Sequence, residues 1–120
     1  MSKVVKLSDV EFRFDESKIL AHKISINGVA ANLTGWTIQL YANTIPIKSI
    51  TTGSASATQG KIKDQTATPG EYFFTLLATD LTSLKGSQSV ARVPCYVKYT
   101  TPDVDPPRVF SNVEFILEIR

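Results

Sequence analysis

The chain has 120 residues, of which 42% are hydrophobic and 20% charged, the composition of one ordinary globular domain that needs no disulfide or metal to bury a core. Thirteen basic and eleven acidic residues give a net charge of +2, which argues against a nucleic-acid-binding protein. No apolar run approaches the ~20 residues that cross a bilayer, so we expect no membrane partner.

The first residues, MSKVVKLSDVEF, lack the apolar segment of a secretory signal, so we expect the chain to be made in the cytoplasm. Residues 1–8 are predicted to be an N-terminal arm, because Val4, Val5 and Leu7 are apolar but do not continue into an alternating pattern. Residues 9–120 are predicted to form a single β-sandwich domain, beginning with the alternation in VEFRF.

The first half of this domain is a series of predicted strands. KILAHKISI alternates and ends at Asn27-Gly28, residues that tolerate the positive φ of a tight turn. WTIQLYA has the pattern of a central core strand. The next strand, over residues 43–50, should lie at a sheet edge because Pro46 cannot donate a ladder hydrogen bond.

In the second half, residues 51–60 are small and polar and are predicted to be a mobile loop. EYFFTLL, ARVPCYVKY and VEFILEI alternate as strands, and Pro94 in the second of these indicates an edge position or a bulge. TPDVDPPR is a predicted loop, since three prolines leave few ladder donors. Seven to eight short strands without a long helix predict an all-β sandwich.

One short helical turn is predicted near residues 80–85, within ATDLTSLKG. Asp80 is the expected N-cap, Leu81 and Leu84 share the face that would cover the open end of the sandwich, and Gly86 would close the turn. We interpret the segment as a corner between strands. The alternative, a phosphate site at the helix start, is disfavoured because the capping residue is itself an acid.

Few residues in the sequence are suited to catalysis or metal binding. His22 and Cys95 are the single histidine and cysteine, and both have the parity of core positions, with His22 expected to hydrogen-bond backbone. Asp103 and Asp105 could offer oxygens to calcium, but solvated turn residues are the favoured interpretation. The sequence lacks phosphate loops, nucleophile elbows and paired catalytic acids, so we expect no enzyme, no cofactor and no small-molecule substrate.

Three short motifs resemble a known group of domains: a "dLTG" step into a strand, a "G-x-y-x-f-x-L" strand, and a capped "lt..L..G" turn. They are matched here by Asn32, Leu33, Thr34 and Gly35, by Gly70, Tyr72, Phe74 and Leu76, and by Leu81, Thr82, Leu84 and Gly86. This pattern is similar to the immunoglobulin-like domains of tailed-phage virion proteins, which include N-terminal domains of baseplate upper proteins and of fibre or neck-attachment proteins. The resemblance covers residues 10–120 and implies an immunoglobulin-like β-sandwich.

The resemblance also implies a role: a structural bacteriophage virion protein that binds other virion proteins and copies of itself. Two departures are an asparagine at Asn32 in place of the usual acid and the lack of a following receptor-binding or coiled-coil segment, which favours a head-decoration, neck, baseplate or fibre-attachment adaptor. The expected interface residues are the apolar arm, outward tyrosines, an edge strand and one off-parity isoleucine: Val4, Val5, Leu7, Tyr41, Ile45, Ile47, Tyr96 and Ile116.

A second class of function on the same fold is a carbohydrate-binding or adhesion module. Its sign would be a flat row of exposed aromatic residues. Tyr41, Tyr96 and Tyr99 are the candidates, but they are few and differ in strand parity.

Overall fold

The computed structural model describes residues 5–6, 10–13, 15–53, 55–102 and 108–120, and the side chains of these residues except at positions 5, 6, 10–12, 55, 110 and 112. Over these residues the fold is all-β, with one short helix. The strands are β1 (Val5–Lys6), β2 (Val10–Phe12), β3 (Lys18–Lys23), β4 (Ser25–Ile26), β5 (Val29–Ala30), β6 (Thr37–Ala42), β7 (Ile45–Thr51), β8 (Ala55–Ser56), β9 (Gly60–Ile62), β10 (Glu71–Leu76), β11 (Ala91–Thr100) and β12 (Val109–Ile119), and the helix is α1 (Ala78–Lys85).

The larger sheet has the strand order β1-β12-β11-β6-β7, and β2 also pairs with β12. The long antiparallel pairs β12–β11 and β11–β6 form its centre, while β1 and β2 join β12 in parallel. The central position predicted for WTIQLYA is confirmed, since β6 has a neighbour on each side. Its side chains alternate between buried and half-buried, as one covered sheet face requires.

The smaller sheet has the order β3-β10-β9-β8, and β4 and β5 form a separate hairpin. Inward side chains of both sheets share one core, which includes Leu40 and Leu117 from the larger sheet and Phe74 and Leu76 from the smaller. Each of these four is fully buried. The predicted all-β sandwich is therefore confirmed, and eight of its strands have three or more residues in the described part of the chain.

The two strand prolines occupy different positions. Pro46 lies in β7 at the edge of the larger sheet, as predicted. The prediction for Pro94 is wrong, because β11 is a central strand and its bulge lies further on, between Val97 and Lys98. The Pro94 carbonyl accepts the amide hydrogen of Asn43, so the proline nitrogen faces the point where β6 ends and no ladder donor is needed.

The segment of residues 51–60 is not the structureless loop that its composition predicts. Ala55 and Ser56 form β8, which pairs with β9, and Gly60 begins β9. A Cβ at Gly60 would lie 2.2 Å from the carbonyl oxygen of Phe73, so the close approach of β9 to β10 requires glycine. The prediction failed because backbone pairing, and not side-chain burial, orders this stretch.

The predicted helical turn is confirmed, but its cap is different. The N-cap is Leu77, and Asp80 lies in the first turn, where its carboxylate accepts the Leu77 amide hydrogen at 2.8 Å. Leu81 is fully buried and Leu84 packs against the core. Gly86 closes the helix with a φ of 60°, and its amide donates to the Thr82 carbonyl.

Some predictions concern residues outside the described part of the chain. These are the inward side chains of VEFRF, the arm residues Val4 and Leu7, and the candidate calcium ligands Asp103 and Asp105. Of Val5 only the backbone is described, and it pairs with Val113 of β12.

Candidate functional site

A pair of tyrosines lies on the outer face of the larger sheet. Tyr41 of β6 and Tyr96 of β11 are directly opposite in register, and their rings stack with centroids 4.8 Å apart and planes 10° from parallel. The ammonium group of Lys98 lies 5.6 Å from the centre of the Tyr41 ring, within the range of a cation–π contact. Both rings are half-exposed. We call this pair the tyrosine stack.

A groove lies beside the tyrosine stack, with a volume of about 290 Å³. Its lining includes Pro94 and Ile116, which face each other across β11 and β12, and Tyr96 and Glu114, which are the next facing pair. The β6–β7 turn contributes the remaining wall, with Thr44 among its residues. We call this feature the outer groove: its lining is largely apolar and includes one carboxylate, that of Glu114.

The five predicted interface residues whose side chains the structure describes separate into three groups. Tyr41, Tyr96 and Ile116 come together at the tyrosine stack and the outer groove. Ile45 is 61% exposed at the start of the edge strand β7, directly after the turn that lines the groove. Ile47 instead packs against the core.

The position of Ile47 follows from a break in the pairing of β6 with β7. Leu40 pairs with Lys48 but Tyr41 pairs with Pro46, so Ile47 is an extra residue in β7. An extra residue reverses the alternation of the strand. The strand therefore turns Lys48 inward, which its neighbours in the sequence do not predict.

Lys48 is accordingly a buried lysine, with only 2% of its side chain exposed. Its ammonium group lies 2.7 Å from a carboxylate oxygen of Asp80 in α1 and also donates to the carbonyl oxygen of Thr58. Asp80 in turn accepts from the Leu77 amide. These contacts join β7, the β8–β9 turn and the helix, and they give the buried charge a partner.

Besides the Lys48–Asp80 pair, a chain of three polar side chains, His22, Tyr72 and Tyr99, lies between the two sheets near the C-terminal end of β11. Nδ1 of His22 lies 3.1 Å from the hydroxyl of Tyr72, which lies 2.7 Å from the hydroxyl of Tyr99. The backbone partner expected for His22 is therefore wrong. Burial lowers the pKa of His22 and raises the pKa of both tyrosines. The three groups remain neutral near pH 7 and link the smaller sheet to the larger one.

Cys95 is a buried thiol, as its strand parity predicts. It is 3% exposed, and burial raises its pKa to about 12. A thiol with so high a pKa carries almost no thiolate near neutral pH, so the Cys95 thiol is not an activated nucleophile. Its Sγ contacts the carbonyl oxygen of Val93 at 3.5 Å.

The β4–β5 hairpin exposes an apolar pair that the sequence analysis did not single out. Ile26 and Val29 pair across the Asn27-Gly28 turn and are 47% and 69% exposed. Both turn residues have positive φ, 53° and 79°, as the turn prediction requires. The available signal was the presence of two branched apolar residues directly beside a turn.

A polar cavity of about 490 Å³ lies on a different surface of the molecule. Its lining includes Lys61, Lys63 and Asp64. The ammonium group of Lys63 pairs with Glu71 at 3.3 Å. The cavity is therefore lined by groups of both signs.

Across the described residues, no three His, Cys, Asp or Glu side chains are grouped so that they could hold a metal ion. None of the helical residues that the structure describes forms a helix long and apolar enough to span a membrane. The chain matches no model of a known protein family, and no curated protein is significantly similar to it.

Proposed function

We propose that this chain is a structural protein of a tailed-phage particle, acting through contacts with other particle proteins and with copies of itself. The observation that carries the proposal is the outer face of the larger sheet, where Tyr96 and Ile116 line one groove, Tyr41 stacks on Tyr96, and Ile45 is exposed nearby. Half-exposed aromatic and aliphatic side chains with a polar border are the usual composition of a protein–protein interface.

The motifs that resemble phage immunoglobulin-like domains have clear structural roles in this sandwich. The side-chain oxygen of Asn32 accepts hydrogen bonds from the Thr34 amide at 3.0 Å and the Thr34 hydroxyl at 2.6 Å. Leu33 between them is fully buried, and Gly35 has a φ of 82°. An asparagine provides the same acceptor oxygen as the acid usual at this position, so the departure at Asn32 is compatible with the motif.

Symmetry makes such a surface effective in a particle. A groove and an exposed strand end provide only small contacts, but identical contacts repeated around a symmetric assembly add to a stable attachment. No catalytic step is required of such a protein. The proposed sites of contact are therefore the tyrosine stack, the outer groove and Ile45.

Quantitative mass spectrometry of purified particles tests the proposal. We expect the chain to be present, with copies near the number of capsid subunits for a decoration protein, or roughly six to eighteen for a neck, baseplate or fibre adaptor. Absence of the chain from the particles would overturn the proposal.

The tyrosine stack also supports a second candidate, a carbohydrate-binding or adhesion module, because Tyr41 and Tyr96 are half-exposed on one face. Sugars commonly bind against the face of an aromatic ring. Here the two rings already stack on each other, and Lys98 lies over Tyr41, so less ring surface is free for a sugar. A glycan array separates the two candidates. Binding that Tyr96→Ala abolishes would favour the module, and no binding to any glycan would remove it.

A further inference from the structure

The β4–β5 hairpin carries an apolar tip formed by Ile26 and Val29. The two side chains lie side by side, because their residues are directly paired across a two-residue turn. At 47% and 69% exposure they are among the most exposed large apolar residues in the described part of the chain. Exposed apolar residues that are grouped at one turn indicate a contact with another surface.

The hairpin that carries the apolar tip is anchored firmly. The Ile24 amide donates to the Gly70 carbonyl at 2.9 Å, and the Ala31 amide donates to the Ile24 carbonyl at 3.0 Å. A Cβ at Gly70 would lie 2.5 Å from the Ile24 oxygen, so only glycine permits this close packing. Because the hairpin is held at its base, little conformational entropy is lost when the tip binds.

The apolar tip and the outer groove lie toward opposite ends of the sandwich. The tip follows β3 shortly after His22, which is linked through Tyr72 to Tyr99 near the end of β11. The groove lies around Pro94, near the start of the same strand. Because the two surfaces lie toward opposite ends of a molecule whose longest dimension is 43 Å, the tip of one molecule cannot reach the groove of the same molecule.

We propose that the apolar tip of one copy of this chain binds in the outer groove of a second copy. The groove volume of about 290 Å³ is at the lower limit of pockets that hold drug-sized ligands, which measure roughly 300–1,000 Å³. A groove of this size is suited to one or two aliphatic side chains. The charges also match: exposed Lys23 lies at the base of the hairpin, and exposed Glu114 borders the groove.

A contact between two different surfaces has a defined consequence for assembly. Each bound copy still has a free tip or a free groove, so the chain adds copies head to tail and forms a ring when the rotation closes. The contact is small and therefore weak for one pair, and closure of a ring would strengthen it. This inference rests on the proposed function in one respect, since it specifies the copy-to-copy contact of that particle protein.

Sedimentation velocity on the isolated chain, from about 10 µM to about 1 mM, tests the contact. We expect the wild-type chain to associate as its concentration rises. The tip variant, Ile26→Asp with Val29→Asp, and the groove variant, Ile116→Asp, should each weaken association at least about tenfold. Ile19→Asp is the matched control, because Ile19 is 62% exposed on β3 and away from both surfaces.

Mixing the two variants is the decisive measurement. The tip variant keeps its groove and the groove variant keeps its tip, so an equimolar mixture should form a one-to-one dimer that cannot grow further. Circular dichroism of each variant verifies that it is folded before mixing. A wild-type chain that stays monomeric at about 1 mM, or two variants that do not combine when mixed, would overturn the inference.

The charged pair gives a test that is independent of apolar burial. Lys23→Glu and Glu114→Lys should each weaken association by a few-fold, and the mixture of these two variants should restore it. Failure of this inference is distinguishable from failure of the proposed function: a chain present in particles but monomeric in isolation contradicts only the inference. A chain that associates through tip and groove but is absent from particles contradicts only the proposed function.

Discussion

Two polar groups in the described part of the core, one around Lys48 and one around Tyr72, differ in charge. At one, the ammonium group of Lys48 meets the carboxylate of Asp80 at 2.7 Å. At the other, His22, Tyr72 and Tyr99 form a chain of neutral groups across the two sheets. The comparison teaches that burial is tolerated in two ways: a charge requires an opposite charge, whereas a neutral group requires only a hydrogen-bond partner.

Removing one charge of the ion pair should produce the largest effect. Asp80→Ala leaves the Lys48 ammonium group buried without its carboxylate and removes the acceptor of the Leu77 amide. We expect a loss of about 3 kcal/mol in the free energy of unfolding, measured by urea denaturation.

Lys48→Met in the Asp80→Ala background is the matched control for that measurement. It removes the stranded charge and should recover most of the lost stability, because a paired charge and an apolar side chain are similar in net cost. If Asp80→Ala alone costs less than about 0.5 kcal/mol, the ion pair is not the buried interaction described here.

The neutral chain should be less sensitive to the loss of one member. Tyr72→Phe removes the central hydroxyl and leaves both His22 and Tyr99 without this partner, so we expect a loss of about 2 kcal/mol in the free energy of unfolding. Tyr99→Phe removes one hydroxyl but leaves the His22–Tyr72 contact in place, so it should cost about 1 kcal/mol. Equal effects of the two substitutions in denaturation would contradict the central position of Tyr72.

The neutral chain should also make stability depend on pH. Burial lowers the pKa of His22 in the folded state below its value of 6.5 in the unfolded chain, so the unfolded state binds the proton first. Stability should be full above about pH 6.5 and fall as the pH drops from there toward the lowered folded pKa. His22→Gln should remove this part of the pH dependence, measured as the difference between the two denaturation profiles.

The smallest effect is expected beside the ion pair, at the edge strand. The side-chain oxygen of Gln59 accepts the Ser49 amide hydrogen at 3.0 Å, and both groups are near the surface. Gln59→Ala should cost only about 0.5–1 kcal/mol and should accelerate amide exchange at Ser49. Unchanged exchange at Ser49 would show that this hydrogen bond does not protect the edge of the sheet.

The residues that sequence analysis placed best are those whose environment depends on strand alternation. Trp36, Ile38 and Leu40 are buried as their period of two predicts, and so is Cys95. The outward parity of Tyr41 and Tyr96 also predicted that both would be accessible. It did not predict that they stack, because stacking depends on the register between two strands that are distant in sequence.

The features that the sequence did not predict depend on long-range backbone geometry. The extra residue in β7 buries Lys48, and its partner Asp80 is 32 residues away in sequence. Likewise, the pairing of β8 with β9 orders a stretch whose small polar residues bury little. A local sequence pattern predicts neither the position of a bulge, as in β7, nor the pairing of a short strand such as β8 with its neighbour.

The amino-acid sequence by itself determined the all-β class, the Asn27-Gly28 turn, the helical corner and most of the apolar core. These features follow from alternation and local turn chemistry, which act between residues close in the chain. Tertiary structure decided which strands are neighbours, which lysine is buried, and where the tyrosine stack, the outer groove and the apolar tip lie. Those features depend on strand order and register, which are set when the two sheets pack to bury their common core.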